Sequence, residues 1–105
     1  MNKVFSILIP VIALNACTWV HLDPEAEKTR VASASDVKNC KKLGKTTASL
    51  ADSVAGFERN PDKVQEELKI LARNSAVGLG GDTVVPLGVP EDGKQVFEVY
   101  RCINP

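Results

Sequence analysis

The fold turns on residues 60–81, NPDKVQEELKILARNSAVGLGG. Asn60 is a good N-cap, Pro61 suits the first helical position, where its missing N–H would be unpaired anyway, and Asp62 puts an acid in the first turn. Val64, Leu68, Leu71, Ala72, Ser75 and Leu79 then recur with a helical period and predict one apolar face. Small residues late on that face let the helix approach a sheet closely. Lys63, Glu66, Glu67, Lys69 and Arg73 take the remaining surface and offer i,i+3 and i,i+4 pairs. Gly78, Gly80 and Gly81 end the helix. The stretch GLGGDT (78–83) is a turn and not a phosphate cradle. Such a cradle needs a strand, a glycine loop and then a helix N-terminus, whereas these glycines follow a helix and precede a strand.

Working outward, Thr83–Val89 and Gln95–Cys102 read as two strands joined by Pro90-Glu91-Asp92-Gly93-Lys94, a loop of hairpin length. Pro86 argues for an edge or a bulge in the first. In the second, Phe97 and Val99 alternate with Val96, Glu98, Tyr100 and Cys102, so both faces carry apolar residues, as near the centre of a sheet. Before the helix, Thr29–Ala34 reads as a short strand, Ser35-Asp36 as a turn or cap, and Leu43–Leu50 as a second strand. Residues 51–60 are irregular, with Val54 and Phe57 as core anchors. The order β-β-α-β-β predicts an α+β domain, a small, mainly antiparallel sheet with one helix packed on one face.

The first sixteen residues have a different character. Lys3 precedes Val4–Leu14, an apolar run broken only by Ser6 and Pro10, and Asn15-Ala16 follow. The run is far shorter than the ~20 residues a membrane-spanning helix needs, and it fits a secretory signal peptide. Leu14-Asn15-Ala16-Cys17 resembles a bacterial lipobox, which implies cleavage before Cys17, a diacylglyceryl group on its sulfur and acylation of its new amine. Thr18 in place of an Asp makes outer-membrane delivery the default, with the domain in the periplasm. The chain then divides into a signal peptide (1–16), a lipidated Cys17 with a tether to residue 28, and a domain from 29 to 105. The tether carries His21, Asp23, Pro24, Glu25 and Glu27 and shows no sustained period. Extended, it reaches at most ~35–40 Å. Trp19 suits either a membrane interface or the domain surface.

Across the 105 residues, thirteen Lys and Arg balance thirteen Asp and Glu, with one His, which leaves no electrostatic footprint for nucleic acid. With Cys17 acylated, Cys40 and Cys102 are the thiols left for an oxidising compartment. Their pairing is the simpler reading, and a loop of this size contributes roughly 4 kcal/mol in the chain-entropy model. In the competing reading Cys40 is a reactive thiol, its pKa lowered by Lys38, Lys41, Lys42 and Lys45. His21, Cys40 and Cys102 are too few for a structural zinc. The single His lies in the tether, so no nucleophile has a base beside it. Neither a metal nor a cofactor is implied, and the expectation is a non-catalytic protein.

The succession NCKKLGKT, a helix ending in a glycine pair, a TVV strand and a terminal VYRC is similar to a small bacterial lipoprotein family of unknown function, YjeI-like, across most of the chain after Cys17. That family resembles, more distantly, the Rcs stress-sensor lipoproteins of RcsF type. The resemblance implies paired cysteines at Cys40 and Cys102. Sensors of that type use two disulfides, whereas this chain can form one.

Two functions are expected from these readings. One is a lipid-anchored interaction module that binds an envelope protein or a cell-wall component, with an envelope stress sensor as the form of it that the RcsF-type resemblance implies. The other is a structural lipoprotein without a dedicated ligand. Lys38, Lys41, Lys42 and Lys45 read either as a solvated loop or as a docking patch for an acidic protein loop or a phosphorylated lipid headgroup.

Overall fold

The computed structural model describes residues 20–50 and 60–105. The signal segment, Cys17, Trp19 and the expected anchors Val54 and Phe57 lie outside the described residues. The fold is α+β, as expected. Strands β1 (Arg30–Val31), β2 (Lys41–Ser49), β3 (Thr83–Glu91) and β4 (Lys94–Arg101) form one sheet in the order β1-β3-β4-β2. Helix α1 (Pro61–Gly78) covers one face of it.

Local chemistry explains α1. The Asn60 side chain accepts from the N–H groups of Asp62 at 2.7 Å and Lys63 at 3.4 Å, satisfying two of the donors a helix start leaves open. At the other end, Gly80 N–H donates to Val77 and Gly81 N–H to Ala76, with Gly80 at φ +82°. This crossed pair needs a left-handed residue, which glycine supplies without a Cβ clash. Leu68, Ala72 and Ala76 are fully buried against Ala48, Val84, Phe97 and Val99. The alanines let the helix axis come close to the strands. Glu67 departs from the periodic reading: it is 5% exposed and not part of the solvated surface.

The sheet is mixed. β2–β4 and β3–β4 are antiparallel, but β1 runs parallel to β3 through Arg30↔Thr83 and Val31↔Val84. The expected six-residue first strand is two residues long because a 3-10 turn, Ala34–Val37, follows it. Ser33 and Asp36 close a reciprocal capping box on that turn, so Ser33 is the cap where Ser35-Asp36 was expected. Pro86 lies beyond the two residues that β1 covers, where β3 has an open edge and a missing N–H costs nothing. The hairpin loop is shorter than expected. Asp92 and Gly93, both at positive φ, make a two-residue turn, and Pro90 and Glu91 belong to β3. A register shift between Leu87 and Glu91 absorbs the extra residues.

Residues 20–29 are not a free tether. Pro24–Lys28 forms a 3-10 turn against α1, with Ala26 fully buried and Thr29 5% exposed.

Candidate functional site: the disulfide and the β2 edge

Cys40 immediately precedes β2 and Cys102 immediately follows β4. Since Lys41 pairs with Arg101, the ladder brings the two cysteines opposite each other, with Cα atoms 4.4 Å apart and the sulfurs bonded at 2.06 Å. The bond closes the end of the ladder and spans 62 positions of sequence. It removes Cys40 as a reactive thiol.

The lysines near Cys40 do not form one loop. Lys38 follows the 3-10 turn, and Lys41, Lys42 and Lys45 lie along β2, the outer strand of the sheet. Lys42 faces Tyr100 and Lys45 faces Glu98. Residues three apart would normally point to opposite faces of a strand. Here a bulge between Lys42 and Gly44 adds one residue and returns both side chains to the open face. Gly44 sits at φ +151° in that bulge.

On that face the Lys42 ammonium lies 2.7 Å from one Glu98 carboxylate oxygen, and the Tyr100 hydroxyl donates to the other at 2.8 Å. The hydrogen bond from Lys42, then that from Tyr100, hold the Glu98 carboxyl below its ordinary range. The same contacts raise the Lys42 ammonium and the Tyr100 phenol. Lys42 is therefore neutralised within the sheet. Lys38, Lys41 and Lys45 are exposed and form no ion pair among the described residues. Farther along the same face, Thr47, Leu87, Val89, Glu91, Lys94 and Val96 line a shallow hollow of about 480 Å³. Gln95 braces this end from below. Its amide donates to the Gly88 carbonyl at 3.0 Å and accepts from Gln65 of α1 at 2.6 Å.

No group of His, Cys, Asp and Glu among the described residues is arranged to hold a metal. The His21 side chain is exposed, and its backbone carbonyl accepts from Asn74. Sequence reasoning missed Glu98 and Tyr100 as partners of Lys42. Their i,i+2 spacing places them on one strand face, but nothing local reveals which strand supplies the cation.

The sequence profile of a family described as a domain of unknown function (DUF4156) matches residues 20–102. The chain belongs to the DUF4156 family. The DUF4156 span takes in all four strands, the helix, both cysteines of the disulfide and the docked residues before β1. A solution NMR structure of a secreted protein of Salmonella typhimurium LT2 is similar at 20% identity, covering 91% of this chain and 88% of that one with a TM-score of 0.46. No curated protein matches the chain. The YjeI-like and RcsF-type resemblances are finer than this family assignment. No helix among the described residues is long and apolar enough to cross a membrane.

Proposed function

We propose that this DUF4156 protein is a non-catalytic, lipid-anchored envelope protein of the outer membrane whose periplasmic domain presents an interaction surface at the β2 edge. The Cys40–Cys102 disulfide carries the reading, because such bonds persist in oxidising compartments. The signal-like segment and the lipobox-like LNAC at 14–17 supply the anchor. Exposed Lys41 and Lys45 on an outer strand, with Lys38 beside them, suit an acidic protein segment. The YjeI-like resemblance is consistent with a lipoprotein body, and the single disulfide separates it from a two-disulfide sensor. Palmitate-analogue labelling in cells tests the anchor. Label on the wild type and none on Cys17→Ala is expected, and label retained on the variant removes the lipoprotein reading. Cross-linking in envelopes tests the surface. A partner captured by the wild type should be lost from a Lys38→Gln, Lys41→Gln, Lys45→Gln variant that melts normally, and lost in high salt.

The placement of these lysines also favours the second reading, a structural lipoprotein without a dedicated ligand. Lysines and a bulge on an outer strand are a common guard against unwanted strand pairing. In that case the triple variant keeps every partner and gains self-association.

A further inference from the structure

The chain entering the domain is pinned to the helix before it reaches the sheet. Asn74 is the clamp. Its Nδ2 donates to the His21 carbonyl at 2.9 Å, and its Oδ1 accepts from the Asp23 N–H at 2.8 Å. Beside it, Arg73 donates from Nε to Thr29 Oγ1 at 3.1 Å and from Nη2 to the carbonyls of Ala26 and Glu27, each at 3.4 Å. At about 100° per residue, Asn74 stands about 200° round the helix from both Ala72 and Ala76. Those alanines face the core, so the clamp points away from the sheet. The layers therefore run from the open sheet face through the sheet and the helix to the docked chain.

This arrangement shortens the reach of an anchor. Cys17 is four positions from His21, and four residues span at most ~14 Å. The headgroup layer of one leaflet is itself ~5–8 Å thick. Undocked as far as Arg30, the same chain would reach ~45 Å. With the clamp closed, at most ~6–9 Å of chain is left beyond the headgroup layer, less than the diameter of one helix, so the outer face of α1 stays beside the headgroups.

We infer that the helix face bearing the docked residues 21–29 is the surface on which this protein rests against the phospholipid headgroups, with the sheet face that carries Lys45 and Thr47 turned away from the bilayer. The inference rests on the lipid anchor at Cys17 proposed above. Val77, exposed and three residues beyond Asn74, lies on the resting side. Exposed Asp23, Glu25 and Glu27 outnumber Lys28 there, so tether length and not charge attraction holds the contact. A headgroup is thereby removed as the partner of Lys45, which shares the face of Glu98 and Tyr100, and an acidic protein segment remains.

The full-length protein, processed in cells, isotopically labelled and purified from membranes, is placed in nanodiscs of phosphatidylethanolamine and phosphatidylglycerol that carry a gadolinium-chelate lipid. Amide relaxation is then read by NMR. Leu22, Asn74 and Val77 should relax several-fold faster than Lys45 and Thr47, at low and high salt alike. Asn74→Ala should reduce that contrast severalfold while the β2 and β4 shifts stay unchanged. Asn74→Asp, which keeps the acceptor for Asp23 and loses the donor to His21, should reduce it less. Equal relaxation on the two faces, or faster relaxation at Lys45 and Thr47, overturns the resting surface while palmitate label on the same sample leaves the anchor standing. A wild-type sample without palmitate label overturns the anchor, and the resting surface with it.

Discussion

Asp82 ties the end of the chain to the start of β3. Its carboxylate accepts from the N–H groups of Cys102 at 2.8 Å and Ile103 at 2.9 Å, and from the Thr83 hydroxyl at 2.9 Å. Burial pushes this acid up, and the hydrogen bonds, with Arg30 nearby, more than reverse that, so its pKa is lowered. Asp36 is lowered by the Ser33 N–H and hydroxyl, and Glu98 by Lys42 and Tyr100. A carboxyl whose folded pKa lies below its unfolded value stabilises the fold above the ordinary range near ~4, and that contribution is lost as pH falls through the folded value. The melting temperature should therefore fall on acidification below about pH 4. Asp82→Ala should cost about 1 kcal/mol at neutral pH, given its solvent access, and show a smaller acid loss. Thermal melts of both proteins across that range check it. The glycines give a sharper contrast. A Cβ on Gly81 would run into the fully buried Val99 side chain and the Tyr100 carbonyl, while one on Gly78 meets nothing. Gly81→Ala should lower the melting temperature by several degrees. Gly78→Ala, which improves helix propensity, should leave it unchanged or raise it.

Among the elements, α1 is held from both sides. Its inner face packs on all four strands, and Arg73 and Asn74 on its outer side hold residues 21–29. Removing its cap should be felt throughout the fold. Asn60→Ala leaves the Asp62 N–H without its acceptor, while the Lys63 N–H keeps the residue 60 backbone carbonyl at 3.0 Å, and should cost about 1 kcal/mol, read by chemical denaturation. β2 is the more exposed element. Among the described residues it pairs only with β4, and it carries Lys41 and Lys45. Their conversion to Gln, with Lys38, should leave the melting temperature within about a degree, because exposed charges contribute little. Sedimentation of the same variant shows whether the edge, once uncharged, pairs with a second copy.

At the scale of the whole molecule, a chain of this length buries a modest core, here Leu68, Val84, Phe97 and Val99 with small residues between them. The disulfide compensates. It links the first residue before β2 to the first after β4 and so encloses the helix and three strands in one loop. Loop-closure entropy predicts that Cys40→Ala or Cys102→Ala costs about 4 kcal/mol, a large share of the stability of a domain this small. Equilibrium unfolding measures it. Thiol labelling of the unfolded, unreduced exported protein should find neither Cys40 nor Cys102 free.

The helix from Asn60 to the glycines, the strands from Thr83 onward and the pairing of Cys40 with Cys102 are legible in the sequence alone, because caps, period and compartment act locally or by composition. The hairpin is legible only as a loop from Pro90 to Lys94; the turn is Asp92-Gly93 alone, and Pro90, Glu91 and Lys94 belong to the strands. The parallel edge of the sheet is not legible, since two residues of strand carry no local signal and Arg30-Val31 are ordered by the strand beside them. Nor is the face of Lys45, which depends on a bulge that only the register with β4 reveals. The docked chain is the largest difference. Its residues have no period, and Asn74 reads as an ordinary polar position on a helix. Its side chain becomes a clamp because the fold brings a backbone carbonyl and a backbone N–H within hydrogen-bonding distance of one amide, across some fifty residues of sequence.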